Sequence, residues 1–150
     1  MEQAKKNLKI ESFIVLLFAG LTLLRAATEI IFTDFSGVTL PADAPKNTIL
    51  IAQIVLASIT LLMLWPQIYI GIKGLVIAKN PNTTRRHIFW GKVLFVFAIL
   101  SMISPAIAII RQEEIGENTY MILSLLVEVV IFFDYVKHAK AVAKIAAEAN

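Results

Sequence analysis

The run ILIAQIVLASITLLMLWPQIYIGIKGLVIA, residues 49–78, decides the fold of this chain because it contains a single charged residue, Lys73. As a straight helix this run would be about 45 Å long, which exceeds the roughly 30 Å of hydrocarbon in a bilayer. An open strand is excluded there, because its backbone groups would have no hydrogen-bond partners in lipid. The run therefore predicts a transmembrane helix.

Three further apolar runs cover residues 10–32, 88–110 and 120–136, and each approaches or exceeds the roughly 20 residues that a membrane crossing requires. The whole chain is 58% hydrophobic with a mean hydropathy of +0.76, more apolar than a water-soluble domain. We predict an all-α polytopic membrane protein with one domain, residues 1–150. Its four helices are expected at about 10–32, 48–78, 87–110 and 119–146, the last extending beyond the membrane.

The basic residues predict the orientation of these helices. Eleven of the 14 lysines and arginines flank the same ends of the four predicted spans: Lys5, Lys6, Lys9, Lys73, Lys79, Arg85, Arg86, Lys92, Lys137, Lys140 and Lys144. Short loops rich in lysine and arginine remain in the cytoplasm. We therefore expect an antiparallel four-helix bundle in the cell membrane with both termini cytoplasmic. The net charge of +3 is then a topology signal, and no nucleic-acid partner is expected.

Polar residues recur at a similar depth near the opposite ends of the four helices. They form a predicted outer cluster: Arg25, Glu29, Gln53, Ser104 and Glu128. Ionisable groups are costly inside a membrane and need partners. We expect Arg25 to pair with Glu128 and to use Glu29 as a second acceptor, because a guanidinium group can serve two carboxylates. The cluster either fixes which helices are neighbours or forms a binding or conduction site open to the outside.

A second polar site is predicted at the cytoplasmic edge. Asp134 lies near the end of the fourth apolar run, where it can meet Lys92 or Lys73. The two interpretations are an interfacial ion pair, with the lysine head group reaching toward water, and a functional intramembrane charge.

Two prolines and two glycines are expected to shape the helices. Pro66 and Pro105 each remove a backbone donor and predict helix kinks, so the kink at Pro66 is either a gate or a bend that accommodates an overlong helix. Gly71 and Gly74 have a spacing that allows another helix to approach closely.

The C-terminal tail places Lys137, Lys140 and Lys144 on one face of a continued helix. These residues either contact anionic lipid or form a solvated helix end that signals topology. Three lysines are fewer than the roughly four to eight that lipid recognition requires.

The remaining composition restricts the classes of function. The chain has no cysteine and only two histidines, and it contains no nucleophile–base constellation, phosphate loop or cofactor motif. We therefore expect no cofactor, no metal and no enzyme activity.

Two hypotheses for the function remain. The first is a non-catalytic bundle or partner subunit with a buried Arg/Glu cluster. The alternative is a small oligomeric transporter, channel or ligand-binding membrane protein that uses this cluster as an external pocket. The expected partners are the lipid bilayer and either a second copy of the chain or another membrane protein.

Overall fold

The computed structural model describes residues 2–32, 48–81, 84–112 and 115–148. All regular structure in these ranges is helical: α1 (Glu2–Phe32), α2 (Thr48–Lys79), α3 (Arg86–Ser101), α4 (Ile103–Ile110) and α5 (Ile115–Glu148). Four segments within them are long and apolar enough to cross a membrane, with α3 and α4 together forming one of the four. The predicted all-helical class and the four potential spans are confirmed for the described residues.

Helix α1 begins at Glu2, well before the apolar run that starts near residue 10. Glu2 lies in the first turn, where a negative charge interacts favourably with the helix dipole. Leu8 is fully buried, and Ala4 packs against the same core. The N-terminal extension of α1 is therefore part of the packed structure.

The third span is interrupted at Met102, between α3 and α4. Pro105 follows three residues later; a proline cannot donate to the carbonyl four residues before it, here that of Ser101. At the interruption, the Met102 amide donates to the Ile99 carbonyl oxygen at 3.1 Å. Helix α2, by contrast, continues through Pro66 as a single helix.

The helices contact one another along a closed circuit, in which α1 touches α2, α2 touches α3, α3 touches α5, and α5 touches α1. Helix α4 packs on α5. Most of the buried apolar side chains form one cluster, which we call the packed end. It draws on the first half of α1, on α3, and on the second halves of α2 and α5. Its members include Leu8, Val15, Ile70, Ile77, Ile88, Leu94, Phe132, Tyr135, Ala139 and Val142.

Packing is much sparser toward the other ends of the helices. Among the described side chains of residues 48–63 and 115–130, none is buried. Large apolar side chains are exposed there, including Leu62 at 71%. Lipid tails are as apolar as leucine, so burial against a neighbouring helix gains little inside a membrane. At the packed end, burial also extends past the apolar runs, to Leu8 and Val142.

Candidate functional site: a polar core at the packed end

Tyr135 lies at the centre of the packed end. Its side chain is fully buried, and its hydroxyl donates a hydrogen bond of 2.8 Å to the Ile70 carbonyl oxygen. This bond joins the second half of α5 to α2. A buried tyrosine hydroxyl needs such a partner, because an unpaired polar group away from water is costly.

Glycines surround the tyrosine ring. A Cβ atom on Gly74 would lie 2.9 Å from Tyr135 Cε2 and would overlap Ser12 Oγ. A Cβ atom on Gly91 of α3 would lie 3.1 Å from Tyr135 Cδ1 and 2.9 Å from Val136 Cγ2. Neither position can hold a larger residue without displacing its neighbours, so the glycines allow α1, α2, α3 and α5 to converge on Tyr135.

Ser12 lies at the contact between α1 and α2. This residue is fully buried, and its hydroxyl donates to the Leu8 carbonyl oxygen at 2.6 Å. One turn away along α2, a Cβ atom on Gly71 would lie 2.5 Å from Leu16 Cγ and 3.3 Å from the Ser12 carbonyl oxygen. The close approach predicted from Gly71 and Gly74 is thus confirmed, and α1 is the helix that approaches.

His87 completes the ring of groups around Tyr135. Its imidazole contacts the tyrosine ring edge-to-face, with centroids 6.3 Å apart, and only 1% of the residue is exposed. Neither ring nitrogen has a hydrogen-bond partner among the described residues. His87 therefore contributes packing through its ring.

A second polar contact joins the first turns of α1 to α5. Gln3 Nε2 donates to Asn7 Oδ1 at 2.9 Å, and Asn7 Nδ2 lies 3.3 Å from His138 Nε2. His138 is one turn beyond Tyr135 on α5, so the two contacts lie on adjacent turns. The contact of Asn7 with His138 links the N-terminal extension of α1 to the C-terminal half of α5.

Two carboxylates lie beside this contact. Glu11 of α1 interacts electrostatically with Asp134 and His138 of α5. Both carboxylates are half-buried. The predicted partners of Asp134, Lys73 and Lys92, are exposed, and among the described side chains neither forms an ion pair with it. Asp134 is therefore brought near Glu11, a residue that the sequence did not single out.

The members of the predicted outer cluster are described to different extents. The side chains of Arg25 and Glu29 lie outside the described residues, so the predicted pairing of Arg25 with Glu128 stays a prediction. Gln53 is half-buried on α2 and has an interaction partner. Ser104 is exposed on α4.

Glu128 is the member of the outer cluster whose neighbours the structure shows most fully. It is half-buried on α5 and lines a narrow cleft with Phe18 of α1, Gln67 of α2, and Ile131 and Phe132 of its own helix. The cleft does not admit a water molecule. Gln67 is the polar side chain that lines the cleft beside the carboxylate, and it follows directly on Pro66.

The hydroxyls of Tyr135 and Ser12 both bond to backbone carbonyls, the first between α5 and α2 and the second within α1. Within the described residues, no three histidine, aspartate or glutamate side chains are grouped so that they could hold a metal ion.

Neither Tyr135 nor the two histidines, His87 and His138, was singled out from the sequence as a site residue. The missed signal is the spacing along α5, where four residues recur on one helical face: Ile131, Tyr135, His138 and Val142. Spacings of three and four residues define one side of a helix. A stripe that continues past the apolar run indicates that the extension of α5 packs against other helices.

In comparisons with known proteins, no protein-family model, no curated protein and no solved structure matches the chain.

Proposed function

We propose that this chain is a non-catalytic subunit of the cell membrane, a four-span antiparallel bundle with both termini in the cytoplasm, whose polar residues join its helices. The observation that carries the proposal is the use of the buried hydroxyls. Those of Tyr135 and Ser12 bond to helix carbonyls at 2.8 and 2.6 Å in a region packed from four helices. The Tyr135 bond joins α5 to α2, and the Ser12 bond lies within α1 at the point where Gly74 of α2 packs against it. Hydroxyls satisfied in this way do not line a path for solute.

The distribution of charge supports the orientation. The residues that flank the packed end are strongly basic, on α1, on the segment between α2 and α3, and on the last turns of α5. Their side chains include Lys6, Lys79, Arg85, Lys137 and Lys140. The packed end is then the cytoplasmic end, where basic residues are retained.

Glu128 gives the alternative function its support. A half-buried carboxylate within a predicted span is costly and is a functional candidate by default. In the alternative, the outer cluster around Arg25 and Glu128 is an externally accessible pocket of a small oligomeric transporter, channel or ligand-binding protein.

Single cysteines distinguish the two functions, because the natural chain has none. Glu128→Cys is treated with a membrane-impermeant thiol reagent, with Gln112→Cys, which is exposed at the end of α4, as the reactive control. The proposal predicts that Gln112→Cys reacts and that Glu128→Cys does not, since its cleft admits no water. Modification of both at similar rates would contradict the proposal and favour the alternative.

A flux measurement is the second test of the proposed function. Vesicles reconstituted with the purified chain are expected to hold an ion gradient as long as protein-free vesicles do. A leak that Glu128→Gln abolishes would contradict a non-catalytic bundle and would assign the cluster to conduction.

A further inference from the structure

A cavity of about 620 Å³ lies between the first turns of α3 and the last turns of α5. Four cationic side chains line it: Arg85, directly before α3, Lys92 of α3, and Lys140 and Lys144 of α5. All four are exposed, so their charged groups can reach a ligand. Counted along the sequence, the lysines of the C-terminal tail are too few for lipid recognition. In the cavity, Arg85 and Lys92 join Lys140 and Lys144 and bring the number of cations to four.

The side chains that line the cavity carry a net positive charge. Its acidic lining residue is Glu148, whose carboxylate lies 3.8 Å from Lys144 Nζ. Both side chains of that pair are largely exposed, and exposed pairs of this kind are weak. The cavity therefore carries three more positive than negative side chains. It also borders the first turn of α3, where a helix has partial positive charge.

The floor of the cavity is apolar. Ile88 is buried, whereas Phe89 is 60% exposed, and Ala143 and Ala147 complete this surface. A free anion needs only the cations, whereas an amphiphile uses a cationic rim and an apolar floor together. The site also lies at the basic end of the potential spans, where Arg85 and Lys92 flank the start of the third apolar run.

We infer that this cavity binds a phospholipid with an anionic head group: the four cations hold the phosphate and the apolar floor accepts the start of the acyl chains. Basic pockets between membrane helices on the cytoplasmic side are suited to such head groups. The assignment to the cytoplasmic leaflet rests on the proposed orientation, but the binding itself does not.

Native mass spectrometry of the intact chain in detergent tests this inference, with phosphatidylglycerol as the anionic probe and phosphatidylcholine as its zwitterionic counterpart. Phosphatidylglycerol is expected to bind more tightly. Each cation contributes about a fivefold change in affinity, so the double variant Lys140→Gln/Lys144→Gln should bind about 25-fold more weakly. The charge-retaining variant Lys140→Arg/Lys144→Arg should bind normally.

The matched control is Lys6→Gln/Lys137→Gln, which removes the same charge from exposed residues that do not line the cavity. Its affinity should stay within about twofold of the original, because charges outside the site contribute only a weak field. Three results would overturn the inference: equal binding of both lipids, equal weakening in the control, or displacement of the lipid by millimolar inorganic phosphate. The measurement is made in detergent, so its failure would not bear on the proposed topology.

Discussion

Tyr135 connects α5 to α2 by a hydrogen bond and packs against α3 through His87. Replacement by phenylalanine keeps the ring and removes the hydroxyl, and it should lower the free energy of unfolding by about 1 kcal/mol. Replacement by alanine also leaves a cavity and should cost about 3–5 kcal/mol. Thermal unfolding in detergent measures both changes. An alanine variant as stable as the original would show that Tyr135 does not stabilise the contact between these helices.

Gly74 allows a prediction with a matched control in the same chain. A methyl group at Gly74 would meet Ser12 and Tyr135, whereas a methyl group at Gly20 would meet nothing within 4 Å. We expect Gly74→Ala to destabilise the protein by about 1–3 kcal/mol through overpacking. Gly20→Ala should be neutral or slightly stabilising, because alanine is the better helix former.

The same glycine is expected to be coupled to Ser12. Because Ser12 Oγ is the atom that the new methyl group would overlap, Ser12→Ala should relieve part of the strain in Gly74→Ala. The double variant should then be more stable than the sum of the single changes implies, by about 0.5–3 kcal/mol. Strictly additive melting data would indicate that the two residues are not in contact.

At the scale of the element, the C-terminal part of α5 belongs to the core. Removal of residues 137–148 would expose the partners of several buried side chains: Ala139, Val142, Ala143 and Ala146. It would also break the contact between Asn7 and His138. We expect the truncated chain to melt at a lower temperature and to be cleaved by trypsin after Lys5, Lys6 and Lys9 faster than the full chain.

The control for this truncation is the full-length variant Lys137→Gln/Lys140→Gln, which changes exposed residues of the same segment and keeps the buried face. It should show the original melting temperature and the original cleavage rate. If the truncated chain also matched the full-length protein, the C-terminal segment would be a solvated helix end that only signals topology.

The helix ends illustrate what the sequence could and could not predict. Hydropathy located α2 to within a residue at each end, because lipid-crossing segments are long and uniformly apolar. It missed the first eight residues of α1, where Leu8 stands among lysines and is nevertheless buried in the packed end. Pro105 indicated a distortion near Met102 from the sequence alone, because the loss of a backbone donor is a local effect. Burial that depends on residues far away in the sequence cannot be recognised from a local pattern of this kind.

The site was less predictable than the helices. Reasoning from the cost of membrane charges directed attention to Arg25 and Glu128, yet the most fully described polar core lies around Tyr135. A tyrosine or a serine carries no charge, so a count of charges overlooks it, and its role depends on glycines in other helices. The role of Gly74 and Gly91, which is to leave room for neighbouring side chains, is visible only once the packing of α2, α3 and α5 is known.

Over the whole molecule, burial is concentrated where the helix ends are basic. The buried side chains there include Val15, Ile70 and Leu94 within the apolar runs as well as Leu8 and Val142 beyond them. The same end carries the Tyr135 core and the cationic cavity between α3 and α5. In the proposed orientation, both features lie on the cytoplasmic side.

Cysteine labelling in intact cells tests the orientation directly, because the natural chain contains no cysteine. Single cysteines replace Gln3, Asn80 and Ala147 at the packed end, Gln112 just past α4, and Gly37 in the loop predicted from the sequence between the first two spans. With a membrane-impermeant maleimide, the account predicts immediate labelling at residues 37 and 112, and labelling at residues 3, 80 and 147 only after the cells are permeabilised. Labelling at residue 3 or 147 in intact cells would contradict it.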